Sequence, residues 1–248
     1  MLPNSYQRFA HIYDELMQDI PYDKYVNWVK EYAPSKDYPT LLDVGCGTGT
    51  LALQFHQAGY QVTGIDLSEE MLAVANDRFQ EEGVSIPLFA MSMDQIEGFS
   101  EMDVVTIPID SINYLQEESA VVETLKRIYF ILRDGGQLFF DVHSLYKMDE
   151  IFMDSPFTYD DGRITYIWYT EPADEEHSVY HQMTFFVKDE TTGLFERFDE
   201  EHFQRTFSIE TYVEWLNNIG FSRVEITADW QNVNPTDESE RIFIRAIK

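Results

Sequence analysis

Basic residues are scarce in this chain. Seventeen lysines and arginines face 45 acids, a formal net charge of −28. A field of that sign repels phosphate backbones, and the 17 cations are scattered rather than clustered, so nucleic acid is not an expected partner. Cysteine is limited to one residue, which excludes an internal disulfide framework and suits a reducing compartment. Long hydrophobic runs are missing, so no membrane-spanning segment is expected. The opening "MLPNSYQRFAHIYDELMQDI" has neither the basic start nor the apolar core of a signal peptide. These absences predict a cytoplasmic protein. Low-complexity linkers and internal repeats are also absent, so the 248 residues are read as one domain, 1–248, carrying an insertion. With 44% hydrophobic and 15% aromatic residues, the chain has ample material for a core and is not of disordered composition.

What is present is an alternation of short apolar strands and amphipathic helices. Residues 5–33 read as helical, forming with the next few residues an N-terminal helical cap over 1–36. "YDKYVNWVKEYA" sets Tyr22, Val26 and Val29 at helical spacing, and Pro34 stops it. Then follow "TLLDVG" as strand, "TLALQFHQAG" as helix, "YQVTGID" as strand and "SEEMLAVANDRFQEEG" as helix. The last is capped by Ser68, with two acids in its first turn. "SIPLFAMS", "MDVVTIPI" and "QLFFDVHS" are further strands, and "EESAVVETLKRIYFIL" is a helix closed by "RDGG". Such an alternation predicts an α/β, doubly wound, Rossmann-like fold with a mostly parallel sheet covered on both faces. Over about 160–207 the helical period vanishes. Three strand-like stretches, "RITYIWYTE", "SVYHQMTFFVK" and "LFERFDEEHFQRTF", predict an inserted antiparallel sheet. The helix "SIETYVEWLNNIG" and the strands "SRVEITAD" and "RIFIRAIK" then complete seven strands.

The turn after the first strand, "LLDVGCGTGT", spaces its glycines as Gly45-x-Gly47-x-Gly49. A dinucleotide fingerprint would place the third glycine one residue later. Glycines at a strand's carboxyl end let the backbone approach a ligand closely. Asp66, ending the second strand, can bind both hydroxyls of a ribose. Asp43, beside the turn, opposes a pyrophosphate and favours an ammonium or sulfonium. Together they point to S-adenosylmethionine, which has both cations and no phosphate. Cys46 lies inside the turn and is not read as a nucleophile, because direct methyl transfer needs no covalent intermediate.

The stretch "LLDVGCGTGTLALQFHQAGYQVTGIDLSEEML" resembles the first two motifs of class I S-adenosylmethionine-dependent methyltransferases. "YQRFAHIYDELM" and "DSINYL" resemble a bacterial branch related to small-molecule N-methyltransferases, including those acting on amino sugars. The resemblance implies that Gly45, Cys46, Gly47 and Gly49 face the methionine part, with Asp43 beside them. It places Asp66 on the ribose, and Leu67 and Met71 on the adenine. Many relatives have an acid after the third strand that accepts from the adenine amino group. Here "AMSMDQI" offers Ser92, Met93 and Asp94, and Asp94 is the preferred acceptor. Tyr6, Tyr13 and Tyr22 resemble N-terminal tyrosines that close over the cofactor, and Tyr13 is the one expected to do so.

Groups near the transferred methyl should come from the ends of the fourth and fifth strands, the N-terminal helix and the insertion. Asp110, Asn113 and Tyr114 follow the fourth strand, where a carboxylate could bind an amine or merely cap a turn. His143 ends the fifth strand and is a candidate base. Alternation puts His202 and Gln204 on one face of the insertion and Phe203 and Arg205 on the other. Arg205 reads as an ion-pair partner, and His177 and His181 as exposed hairpin residues. The aromatic-rich insertion suits a substrate lid or a homodimer interface. No metal site is expected. A nicotinamide-dependent oxidoreductase and a cofactor-binding regulator without catalysis are the alternatives, the first disfavoured by the glycine spacing and Asp43.

Overall fold

The computed structural model describes residues 14, 16, 17, 20–231 and 233–248. Tyr6 and Tyr13 lie outside them. The first helix, α1, spans Tyr22–Tyr32 and follows Pro21, whose missing N–H costs nothing at a helix start. Then come β1 (Thr40–Val44), α2 (Thr50–Gln57), β2 (Gln61–Asp66), α3 (Glu69–Glu81), β3 (Leu88–Ala90) and β4 (Met102–Ile107). They are followed by α4 (Glu118–Ile131), β5 (Leu132–His143), β6 (Phe157–Asp160), β7 (Ile164–Pro172), β8 (Ser178–Lys188) and β9 (Phe195–Arg205). The chain closes with α5 (Ile209–Ile219), β10 (Arg223–Ala228) and β11 (Arg241–Ile247).

Seven strands form one sheet in the order β10-β11-β5-β4-β1-β2-β3. All neighbours are parallel except β11, which is antiparallel to both β5 and β10. Strand alternation divides the core in two. Leu42, Val105, Phe140 and Ile244 face α4 and α5, while Leu41, Val104, Phe139 and Phe243 face α1, α2 and α3. Burial on both faces is why these strands read as continuous apolar runs. No helix among the described residues is long and apolar enough to cross a membrane.

The insertion is a separate four-stranded antiparallel sheet, β6-β7-β8-β9. Its first strand, the short edge "FTYD", escapes the sequence reading because it is mostly exposed and has no apolar alternation. The expected stop "RDGG" is not a loop either. Strand β5 starts at Leu132, directly after α4, and absorbs those residues in an irregular register against β4. Phe185, Phe198 and Ile164 of the inserted sheet bury Met71 of α3, so this sheet sits over the carboxyl end of the parallel one.

Gly49 enters α2 at φ +78°, and a Cβ there would stand 2.7 Å from the Phe79 ring and 2.9 Å from Ala75. Gly83 has a similar φ of +68° but open space around it. Gly49→Ala should therefore cost about 2–4 kcal/mol of unfolding free energy, strain and overpacking combined. Gly83→Ala should cost about 1–2 kcal/mol from strain alone. Equal denaturation midpoints for the two variants would contradict the packing assigned to Gly49.

Candidate active site

The turn between β1 and α2 is tied to β2, since the Gly45 and Cys46 amides donate to the Ile65 carbonyl at 2.8 and 3.0 Å. All three glycines have positive φ, but they are required for different reasons. A Cβ on Gly45 would meet Ser111 at 2.9 Å, and one on Gly49 would meet Phe79. A Cβ on Gly47 would meet nothing within 4 Å among the described residues, so that side of its backbone borders free space. Asp66 accepts from the Gly47 amide and from the Ser68 amide, each at 2.8 Å. It thus locks the turn to the start of α3, and burial raises its carboxyl above the ordinary value.

Asp43 is fully buried. Its Oδ1 accepts from the Thr106 hydroxyl at 2.8 Å, while Oδ2 has no partner among the described residues. Burial pushes its pKa up to about 7. It lines a cavity of about 40 Å³ with Gly45, Gly47, Tyr22, Ile109 and Ser111. An unsatisfied buried carboxylate beside an uncrowded glycine fits a ligand bearing an ammonium or sulfonium and opposes one bearing phosphate. S-adenosylmethionine meets that requirement.

The remaining expected cofactor residues divide. Cys46 turns its sulfur toward Gly64, and burial raises the thiol well above its ordinary value, so it is inert. The Met93 methyl approaches the Gly45 position at 3.9 Å, while Ser92 and Asp94 hydrogen-bond to each other. Leu67 is 75% exposed. Met71 is buried beneath the inserted sheet, packed on Phe185 and Phe198.

On the other side of Ile109 and Ser111 lies a larger cavity, about 310 Å³, roofed by the inserted sheet. Those two residues line both cavities. Between them stands Asp110. Ile109 and Asp110 have φ of +56° and +49°, a left-handed geometry that costs roughly 1–3 kcal/mol per residue. The Asp141 carboxylate holds it, accepting from the Ile109 amide at 2.8 Å and the Asp110 amide at 3.2 Å. Asp141 also accepts from the Tyr25 hydroxyl at 3.0 Å and from Arg241. Arg241 Nη2 lies 2.7 Å from Asp110 Oδ1. Asp110 Oδ2 takes Gln204 Nε2 at 2.8 Å and faces His143 Nε2 at 3.3 Å. The Asp110 side chain therefore caps no turn; its charge is spent on Arg241, Gln204 and His143.

Hydrogen-bond direction fixes the protons here. The Trp168 indole only donates, and it reaches His181 Nδ1 at 3.0 Å. Neutral His181 must then carry its proton on Nε2, which donates to Gln204 Oε1 at 2.9 Å. Gln204 in turn offers its amide N–H to Asp110. Burial drives the His181 pKa down to about 4. Burial works against ionisation of Asp110 too, but His143, Arg241 and their hydrogen bonds outweigh it, so its carboxyl lies well below the ordinary value. Burial lowers His143, against the pull of Asp110. Neutral His143 thus donates from Nε2 to Asp110, and its buried Nδ1 has no partner among the described residues.

His181 is the clear correction. It is 4% exposed, not a surface hairpin residue, because its strand face turns inward onto Phe152 and the cavity. His177 is half-buried, 2.7 Å from Asp149. His202 and Gln204 share the cavity face. Arg205 points away, 3.5 Å from Glu175. Asn113 is buried and structural, accepting from the His143 amide at 3.0 Å and donating to the Arg205 carbonyl at 2.7 Å. Tyr114 is half exposed at the cavity's edge, its ring against His202. Sequence reasoning missed Tyr25, Asp141 and Arg241. The available signal was a charge inside one apolar strand, "FFDVH", and a charge heading another, "RIFIRAI".

Gly47→Ala should lower S-adenosylmethionine affinity at least tenfold while shifting the denaturation midpoint less than Gly49→Ala, because the new methyl enters ligand space rather than packed core. Calorimetric titration checks this, and unchanged affinity would displace Gly47 from the cofactor cradle.

Residues 41–136 match the model of a methyltransferase domain family. A candidate methyltransferase of Geobacillus sp. (strain WCH70) is 47% identical over 98% of this chain and 100% of its own length. A solved S-adenosylmethionine-dependent methyltransferase from Clostridium acetobutylicum is 28% identical with a TM-score of 0.88, covering 98% of this chain and 99% of that one. The fold is shared with CalS10, an amino pentose methyltransferase from Micromonospora echinaspora solved with S-adenosylmethionine bound. That likeness has a TM-score of 0.70 at 21% identity, over 91% of this chain and 89% of that one. The chain belongs to the S-adenosylmethionine-dependent methyltransferases.

Proposed function

We propose that the chain, acting as one unit, methylates a small-molecule acceptor held under the inserted sheet, with His143 as the general base. The observation that carries this is His143, which lines a cavity that meets the glycine turn at Ile109 and Ser111 and whose buried Nδ1 has no partner among the described residues. A cavity of about 310 Å³ suits a small molecule. CalS10, with the same fold, acts on a small sugar by its name, which supports the size class.

When bound, S-adenosylmethionine supplies a methyl group on a positively charged sulfur. Asp43, Gly45, Gly47 and Asp66 are the residues that would hold it, with Met93 and the Ser92–Asp94 pair on the adenine side. Leu67 and Met71 would flank that side too, Leu67 becoming covered on binding. This chain's task is then orientation, exclusion of water and removal of one proton. His143 Nδ1 accepts the acceptor's proton. The imidazolium that forms is stabilised by Asp110 at 3.3 Å, already ionised through Arg241. Phe152 packs edge-on against His143 at 5.1 Å, which fixes the ring and keeps water off it. Tyr114 stands at the mouth and contacts the acceptor.

His143→Ala should lower turnover by roughly 10²–10⁴-fold and leave S-adenosylmethionine affinity within about twofold. The base works in its neutral form and its pKa lies below 6.5, so wild-type activity should hold above pH 6.5 and fall as the pH drops below that value. The variant should lack this acid limb. Unchanged turnover would remove His143 from the mechanism.

A further inference from the structure

We propose that the acceptor is an uncharged aromatic hydroxyl compound, methylated on oxygen, and not a cationic amine. This deepens the methyltransferase reading above and rests on it.

The charge lining the acceptor cavity is closer to balance than that of the whole molecule, with Arg241 also meeting Asp141 and Lys147 also meeting Glu240. The chain carries −28, yet Asp110 is the only acid among the described residues lining this cavity, against Arg241 and Lys147. That one carboxylate is already committed, to Arg241 at 2.7 Å and to Gln204 at 2.8 Å. An ammonium entering here would lose its water and meet Arg241, and the described lining residues offer it no uncommitted carboxylate. The Phe152 ring, one place where a cation could rest on an aromatic face, already has Lys147 Nζ over it at 5.8 Å. A neutral ligand meets none of these costs.

The walls and the floor complete the specification. Tyr166, Trp168, Met183 and Phe185 give the inserted sheet an apolar, largely aromatic surface toward the cavity, which suits a flat ring packed by stacking or edge contact. His143 lines the floor, and its buried Nδ1, without a partner among the described residues, is an acceptor for which a hydroxyl group would provide the donor. A phenolic hydroxyl, with an ordinary pKa of about 10, lies within a few units of an imidazole, so transfer during the reaction is feasible. In the step, the hydroxyl oxygen forms its bond to the methyl carbon as the carbon–sulfur bond breaks. The electron pair of that bond stays on sulfur, and the hydroxyl proton goes to His143 Nδ1.

Two one-ring probes separate the classes at pH 7.5: p-cresol, neutral there, and benzylamine, a cation. Each is titrated calorimetrically into the full-length protein saturated with S-adenosylhomocysteine, and each is assayed for methyl transfer by mass spectrometry. The expected result is binding of p-cresol at least tenfold tighter than of benzylamine, and a methyl ether as product. Arg241→Gln, which frees Asp110, should narrow that ratio at least tenfold. The wild-type comparison stands even if this variant does not fold. Preferred binding or N-methylation of benzylamine overturns the proposal, as does silence toward both probes while S-adenosylhomocysteine binds. Failure of S-adenosylhomocysteine itself to bind overturns the underlying cofactor site instead.

Discussion

One buried ion pair organises the site. Arg241, the first residue of β11, reaches Asp110 at the end of β4 and Asp141 within β5. Burial disfavours all three charges, and mutual attraction restores them only in part. Arg241 stays charged and Asp110 stays ionised, whereas Asp141 is pushed above its ordinary value by burial and by Asp110. Such a cluster adds little net stability. Its value is in geometry, since it closes the antiparallel edge of the sheet onto the parallel centre and holds the left-handed Ile109–Asp110 pair. That pair stands where the smaller cavity, beside the glycine turn, meets the larger one under the inserted sheet.

From Asp110 the order passes into the inserted sheet. Gln204 on β9, His181 on β8 and Trp168 on β7 form one directed line of donors and acceptors. Each strand of the line contributes an inward-facing residue, so the register of the inserted sheet is coupled to the carboxylate that orients His143. A sheet held this way walls the larger cavity, the proposed acceptor site. The same site uses environment to give two acids different roles. Asp43, with one oxygen unpartnered among the described residues and its pKa raised to about 7, favours a cationic ligand under the proposed reading. Asp110, matched by Arg241, would support the proposed base.

Much of this could be read from residues alone. Continuous apolar runs and helical spacing marked the seven strands and their helices, because sheets buried on both faces leave a strong local pattern. The spacing Gly45-x-Gly47-x-Gly49 with Asp43 and Asp66 carried the cofactor, because local chain geometry sets that turn. The direction of β11 was not legible, since antiparallel return depends on a connection without a helix. His181 was misread because its burial comes from Phe152 and Gln204, far away in sequence. Arg241 and Asp141 were missed for the same reason: their partners lie 131 and 100 positions from Arg241 and are brought together only by sheet order. Asp110 was found, but its engagement with Arg241 decides what it can bind, and that is a tertiary fact.

The account depends most directly on the protonation state of the Asp110–His143 pair. Long-range ¹H–¹⁵N correlation of the histidine side chains at pH 7 reads it directly, with His143→Gln supplying the assignment. A neutral His143 ring with the proton on Nε2 and a bare Nδ1 is the predicted state. An imidazolium, or a ring protonated on Nδ1, would contradict the arrangement of ion pair, carboxylate and base described for this site.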